Sequence, residues 1–524
     1  MDVVPTSNKW VITVTVMTGT LMAALDVSIV NVALPYMRGS LGASIEDITW
    51  VATGYVLSNV TVMPLIALFT ARFGRKRFYM LSVFLFTLSS IACGMARDMT
   101  SMVTFRVIQG IGGGALIPVS QSILRETFPP EEQGMAMGIY GLGVVMGPAI
   151  GPTLGGWLTT HYSWPWIFYV NVPVGMINLL LVSRFIEDPP YLIRETGKVD
   201  LLGVGLLAVG LGSLQIMLEK GQQKDWFSSN FITYLALVAA VGLFFFVLRE
   251  LITDRPAVDL RMLKNLTFTS GTFIGGILGM GLFGTLFLLP LLLEQLLGYS
   301  AFDSGLALVP RSLAMAVTML IAGRLYNKVG PRLLVFLGLT ISGLSFWELS
   351  RLSLNVGLWD IAFPQFIQGV GFGTIFVALS TVSLSDISKT KMQAATGLYN
   401  VVRLVFGSIG LAIAATELDK GTVRYGAILM RNVTEYRDTA LEWLRTLSEG
   451  MAAKGSDGVS AQSQALGLIR VEVTRQAMMI AFNRLFFMVC LLFVFSLPLV
   501  SLLRVRDKHG RGFRQGWPFP GRRL

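Results

Sequence analysis

Long apolar runs separated by polar loops recur along the whole chain, at residues 10–35, 47–70, 78–96, 99–124, 134–159, 164–186, 200–218, 230–249, 267–293, 304–323, 333–348, 360–384, 394–415 and 480–503. A helix needs about 20 residues to cross roughly 30 Å of hydrocarbon, so the pattern predicts an all-α polytopic membrane protein with fourteen spans. The first run lies close to Met1 and no small-residue cleavage site follows it, so it is expected to be retained rather than removed as a signal peptide. Between residues 416 and 479 the chain turns polar, with Arg431, Glu435, Arg437, Asp438, Glu442, Arg445 and Glu449. Inside that stretch Ala440, Leu441, Trp443, Leu444 and Leu447 fall at helical spacing, and the run from Gly455 to Ser460 reads as a flexible break.

Glycine punctuates one span in a regular way. Gly143, Gly147, Gly151 and Gly155 recur every fourth residue, with Gly156 beside them, so a helix carries them as a smooth stripe on which another backbone can lie. Pro148 and Pro152 each remove a helix hydrogen bond, which a span tolerates where protein or water meets the freed carbonyl. The segment therefore belongs inside a bundle, where it can bend.

A repeat runs through the apolar pattern. Gln109-Gly110-Ile111-Gly112 returns as Gln368-Gly369-Val370-Gly371, and Gly138-Ile139-Tyr140-Gly141 returns as Gly397-Leu398-Tyr399-Asn400, both 259 residues later. Arg72-Phe73-Gly74-Arg75 agrees loosely with Lys328-Val329-Gly330-Pro331. Duplicated halves are a mark of transporters. The repeat divides the chain into a six-span half at 1–199, two inserted spans with a linker at 200–266, a second six-span half at 267–503, and a basic tail at 504–524.

Composition agrees with the spans: 53% of residues are hydrophobic, 14% are charged, and the mean hydropathy is +0.64. The net charge of +11 is not scattered evenly. Arg72, Arg75, Lys76, Arg77, Arg184, Arg194, Lys198, Arg324, Lys328, Arg332 and the tail fall on one side of the alternating loops, whereas Arg38, Arg97, Lys220, Lys224 and Arg351 are the sparse set in the short loops opposite. The positive-inside rule then places both termini in the cytoplasm and the tail against lipid, and nucleic acid is not expected as a partner. Cys93 and Cys490 both fall within spans and are not expected to pair. No phosphate-binding loop occurs, so an ion gradient rather than ATP is the expected energy source, and no enzyme activity, metal or cofactor is expected.

A charge at the bilayer centre costs at least about 2.5–3.5 kcal/mol, so ionisable residues in mid-span are functional candidates. Asp26 is the carboxylate lying well inside a run, and burial favours the protonated form of such a group, a condition for loading and releasing protons. Its alternative role is to bond Ser28 and Asn31 and fix the first span. Arg106 and Arg403 are the mid-span cations, one in each half, while Arg311 and Arg484 lie nearer the span ends and are expected to snorkel. His161 and His509 fall outside the spans.

Several of these segments resemble the major facilitator superfamily, and in particular its fourteen-span drug–proton antiporter branch of EmrB-like efflux proteins. The glycine and proline run resembles the antiporter motif of the fifth span. Leu25-Asp26-Val27-Ser28-Ile29-Val30-Asn31 resembles the first-span signature, Arg106 to Gly114 the fourth-span motif, and Trp166 to Gly175 the start of the sixth span. Ser213-Leu214-Gln215-Ile216-Met217-Leu218 and Asp225-Trp226-Phe227 are similar to EmrB-like members. One motif departs: the loop after span 2 carries Ala71 where the superfamily has an aspartate, so the charge pairing that latches the outward-open state is not carried over, and Arg72 and Arg75 remain as inside anchors or latch residues.

The resemblance implies proton-driven efflux of hydrophobic or amphipathic compounds across the inner membrane, with Asp26 and Arg106 coupling the proton. It places Met22, Tyr55, Asn59, Gln109, Gln121, Tyr140, Phe283, Gln365, Gln368, Tyr399 and Asn400 in cavity-lining spans, with Arg403 as a contact for anionic substrate groups or for a backbone carbonyl. It also implies a periplasmic membrane-fusion adaptor and an outer-membrane channel as partners, with segment 416–479 as the docking surface or as a cap on the transporter itself. A nutrient symporter of the same fold, and a membrane sensor that transports nothing, are the competing readings.

Overall fold

The protein is described by a computed structural model over residues 8–189, 200–253, 256–434 and 436–503. The basic tail, Arg194 and Lys198 lie outside the described residues. Among the described residues, fourteen helices are long and apolar enough to cross a membrane: α1 (Lys9–Ser40), α2 (Glu46–Phe73), α3 (Arg75–Gly94), α4 (Met99–Thr127), α5 (Gln133–His161), α6 (Trp166–Phe185), α7 (Leu201–Lys220), α8 (Asn230–Ile252), α9 (Leu266–Leu296), α10 (Asp303–Val329), α11 (Pro331–Leu349), α12 (Leu358–Val382), α13 (Lys389–Met430) and α14 (Gly458–Leu502). A helix satisfies most of its backbone polar groups internally, as hydrocarbon demands, and for that reason the apolar pattern shows where the spans lie.

The two halves repeat the same helix crossings. Gly110 of α4 lies on the Tyr55 carbonyl of α2, and Gly369 of α12 lies on the Arg311 carbonyl of α10. A Cβ on Gly112 would stand 2.6 Å from the Ser82 carbonyl of α3, and one on Gly371 2.8 Å from the Ser342 nitrogen of α11. Glycine is required at these positions because no side chain fits between the backbones.

The halves meet towards the end of the bundle that carries Arg72, Arg75, Lys328 and Arg332, called here the basic end. There Gly134 and Gly138 of α5 pack against α10, where added Cβ atoms would stand 2.8 Å from the Gly323 carbonyl and 2.6 Å from the Met319 carbonyl. Met63 of α2 abuts Gly397 of α13, and the Asn400 amide donates to Gln121 at 2.7 Å. Buried Arg125 of α4 faces Tyr326 and Asp386 of the other half.

The inserted pair touches both halves. Lys220 and Lys224, at the end of α7, contact the Glu46 carbonyl at 3.2 Å and the Glu46 carboxylate at 2.5 Å. Gln215 donates to Ser408 at 2.8 Å and Trp226 to Thr416 at 2.9 Å, both on α13. α7 thus lies between α2 and α13, with α8 outside it.

The polar segment after residue 416 departs from the expected loop. α13 and α14 continue through most of it as helices of 42 and 45 residues. With the apolar runs 394–415 and 480–503 in the bilayer, at about 1.5 Å per residue α13 projects roughly 20 Å and α14 roughly 30 Å beyond it. The expected helix forms at Asp438–Ala452 and packs on α14. The expected break is shorter than its sequence suggests, because Asp457 caps α14 by accepting from the Ser460 backbone at 3.1 Å and draws Gly458 to Ser460 into the first turn.

Candidate functional site

Five spans of the N-terminal half converge on Asp26, which is fully buried. Arg106 Nη1 on α4 donates to Asp26 Oδ2 at 2.6 Å, and the guanidinium is 1% exposed. Asp26 Oδ1 accepts from Gln109 Nε2 and from Asn171 Nδ2, each at 3.0 Å. Both amides also donate to Ser90 Oγ on α3, at 2.9 and 3.1 Å. The arginine is held from other directions: its Nε donates to the Val51 carbonyl at 2.9 Å, its Nη1 also donates to Gln109 Oε1 at 2.7 Å, and its carbon Cζ lies 4.4 Å from the Tyr55 ring centroid. All three side-chain bonds to Asp26 are donated to it, the set that suits an ionised carboxylate. A buried pair survives only when its remaining lone pairs and protons are satisfied in this way.

The glycine and proline run faces this cluster through α1. Added Cβ atoms on Gly147 and Gly155 would stand 2.6 Å from Leu25 N and 2.8 Å from Ile29 Cγ1, and Gly151 abuts the Ser28 hydroxyl. Ser28 donates across to the Gly147 carbonyl at 3.0 Å and to the Leu25 carbonyl at 3.0 Å. Its hydroxyl thus serves the α1–α5 crossing. An added Cβ on Gly143 would meet Met17 at 3.2 Å, while one on Gly156 would have Val32 no nearer than 3.9 Å. α5 continues as one helix through Pro148 and Pro152. One helix thus grips α1 on either side of Asp26 along its far half and grips α10 along its basic half.

A second group lies where the halves meet. Tyr140 of α5 stacks on Phe376 of α12 with centroids 6.2 Å apart, and its hydroxyl donates to the Ile117 carbonyl at 3.3 Å. Arg403 Cζ stands 5.3 Å from the same Phe376 ring, and the guanidinium acts electrostatically on both Tyr140 and Tyr399. The Tyr399 hydroxyl is buried without a hydrogen-bond partner among the described residues, as is the side-chain amide oxygen of Asn59 beside Gly114 in the N-terminal half. Asn400 is tied to Gln121. Aromatic faces, one guanidinium and a few amides form a surface suited to a flat or amphipathic organic molecule.

The predicted residues thus separate into two places. Tyr55 and Gln109 join the Asp26 cluster, whereas Tyr140, Tyr399, Asn400 and Arg403 gather between the halves. Gln368 belongs to neither and is fully buried. Arg484 is exposed and donates to Tyr425 at 2.8 Å, as a snorkelling residue can, but Arg311 is 6% exposed and stays within the bundle. It does not snorkel because Gly369 draws its backbone against α12. In the departing loop, Arg75 pairs with Glu126 of α4 at 2.5 Å, with both side chains below a tenth exposed, so it is more than a surface anchor. Asn171 and Ser90 are the cluster members that sequence reasoning missed. Asn171 carries one visible signal, an amide in the apolar run Trp166 to Gly175.

Comparison with known proteins agrees with this architecture. The Major Facilitator Superfamily model matches residues 16–411. The chain is 34% identical to the multidrug export protein EmrB of Escherichia coli strain K12, over 94% of each chain. It is 33% identical to the fatty acid resistance protein FarB of Neisseria gonorrhoeae, over 94% of this chain and 95% of that one. The human organic anion transporter MFSD10 shares the fold, with a TM-score of 0.58 at 14% identity over 93% of this chain and all of that one. This chain belongs to the major facilitator superfamily, among its EmrB-like multi-pass efflux transporters.

Proposed function

We propose that the transporter is a proton-driven antiporter of the inner membrane, exporting hydrophobic or amphipathic compounds such as drugs, uncouplers or fatty acids. The observation that carries this reading is the sealed pair of Asp26 and Arg106, a costly arrangement that a passive scaffold does not need. Protonation turns the carboxylate from an acceptor into a donor. The new O–H then needs an acceptor among groups that all donate to the carboxylate, and Arg106 loses its counter-charge inside the bundle. The protonated state therefore favours a different arrangement of α1 against α4. Because α5 grips α1 beside Asp26 and α10 at the basic end, that rearrangement reaches the surface between the halves. A proton and a substrate thus favour different states, and the exchange follows from the population shift.

With both termini in the cytoplasm, the basic end is the cytoplasmic face. Its close contacts fit a state shut to the cytoplasm, with Tyr140 stacked on Phe376 where the halves meet. The helical projection of α13 and α14 then stands in the periplasm. Its exposed apolar residues Val423, Tyr436, Trp443 and Val459 suit a membrane-fusion adaptor that leads to an outer-membrane channel. The names of the EmrB and FarB relatives support the substrate range.

The test is reconstitution in liposomes that hold a pH-sensitive dye. With a proton gradient imposed, lipophilic cations, uncouplers and fatty acids are added in turn. Substrate-triggered collapse that is lost in Asp26→Asn is the expected result. Collapse that survives the substitution moves the proton site elsewhere, and no response to any compound favours the uptake or sensor readings.

A further inference from the structure

The repeat carries the Asp26 cluster onto a second polar cluster of opposite balance. The offset of 259 takes Arg106 and Gln109 to Gln365 and Gln368 on α12. The matching crossings of Gly110 on Tyr55 and Gly369 on Arg311 take Tyr55 to Arg311. In the second half the guanidinium has moved to the facing helix, and an amide stands where the arginine was. The acid has no counterpart. Gly151 abuts Ser28, and an added Cβ on its equivalent Gly410 would stand 2.9 Å from Met280, so Asp26, two residues before Ser28, corresponds to buried Leu278, two before Met280.

Arg311 is therefore a buried cation without a counter-ion. Among the described residues it makes no ion pair and its Nη1 has no hydrogen-bond partner. Gln365 and Gln368 are fully buried, and among the described residues neither their amide oxygens nor their amide nitrogens are bonded, nor is the buried hydroxyl of Ser342 on α11. Such groups are expensive to bury, and a protein that keeps four of them on the three helices that cross at Gly369 and Gly371 is fitted to something that bonds them. The set is rich in N–H and O–H donors around one positive charge, and the guanidinium fork matches the two oxygens of a carboxylate.

We infer that Arg311, Gln365, Gln368 and Ser342 form a binding site in the C-terminal half for the carboxylate of an amphipathic organic anion. The inference rests on the efflux reading and narrows its substrate class. It divides the labour between the repeated halves: one keeps its arginine neutralised by its own acid, and the other leaves its arginine for an acid that the cargo brings.

The experiment uses the full chain in phosphatidylcholine nanodiscs, without a gradient, and measures binding and thermal stability with dodecanoate, dodecanol and dodecyltrimethylammonium. Dodecanoate is expected to bind and to raise the melting temperature. Arg311→Met is expected to weaken dodecanoate binding about ten- to hundredfold, the value of a hydrogen bond to a charged group, and to leave the alcohol and the cation unaffected. The ligand-free variant should be at least as stable as the wild type, because it loses an unpaired buried charge. Gln365→Leu should weaken dodecanoate several-fold. The inference is overturned by a wild type that does not bind dodecanoate, by equal losses for all three compounds, or by an Arg311→Met protein less stable than the wild type, which marks a structural arginine. Arg311-dependent stabilisation by phosphatidylglycerol in place of dodecanoate assigns the site to lipid and also overturns it. A wild type that binds dodecanoate but moves no protons refutes the antiport reading alone.

Discussion

Replacing Asp26 by Asn keeps the size of the side chain and removes its charge, leaving the Arg106 guanidinium buried with the Val51 carbonyl, Gln109 and the Tyr55 ring as its partners. At an effective dielectric of about 20, unit charges about 4 Å apart attract by about 4 kcal/mol. Breaking a buried pair from one side typically costs about 3–5 kcal/mol, because the remaining charge has been desolvated without compensation. Arg106→Gln strands the carboxylate instead, and Gln109 and Asn171 still donate to it, so its cost should fall in the same range. The double variant removes both charges and should recover most of the loss, for a coupling energy of several kcal/mol. Unfolding in mixed micelles by increasing the sodium dodecyl sulfate fraction measures the stabilities, and the dye-loaded liposomes measure transport. Stability should return in the double variant and proton-driven transport should not. Additive stability losses would refute the pair as an energetic unit. Transport that returns along with stability would refute its role in coupling.

The glycine stripe predicts a contrast between two neighbouring substitutions. Gly147→Ala forces a Cβ to 2.6 Å from Leu25 N and should cost about 1–3 kcal/mol with slowed transport, whereas Gly156→Ala, with 3.9 Å of clearance, should stay within about 0.5 kcal/mol in the same micelle titration. Arg75→Met removes one charged partner of Glu126, which keeps its bond from Ser122, and should cost about 1–3 kcal/mol, which the same titration reads; an unchanged midpoint would show that the pair contributes nothing. Tyr140→Ala removes the stack on Phe376 and should weaken binding of an aromatic substrate by more than binding of an aliphatic one, measured by competition in nanodiscs. Replacing residues 432–456 by a short glycine and serine linker should leave transport in liposomes intact and abolish the resistance of adaptor-containing cells; loss of liposome transport would make the projection part of the transporter's own machinery.

Arg311 and the segment after residue 416 show where sequence reasoning stops. Arg311 stands near the start of α10, and position along a helix suggested a side chain reaching for the headgroups. What decides its direction is Gly369, which admits the Arg311 backbone against α12 and turns the residue into the bundle. The polar segment reads as a loop because hydrocarbon is the only environment that apolar runs report. Outside the bilayer a helix needs no continuous apolar face, and α13 and α14 extend through the polar sequence by packing on each other, with Asp438–Ala452 packed on α14. Gly455 to Ser460 reads as a break, yet the Asp457 cap begins α14 inside it.

Fourteen crossings, the duplicated halves, the lone mid-span carboxylate and the close-packing stripe can all be read along the chain. Each is a local or periodic property: a span bonds its own backbone, a stripe follows the helical repeat, and a charge in hydrocarbon is conspicuous against its neighbours. The donors that meet Asp26 are another matter, since Asn171 arrives from 145 residues away and Ser90 from a different span. So is the contrast between a paired Arg106 and an unpaired Arg311, because which helix faces meet is set by crossings at Gly110, Gly151, Gly369 and Gly410. Side-chain pairing inside a bundle depends on helix rotation and depth, quantities that exist only once all the helices are packed together.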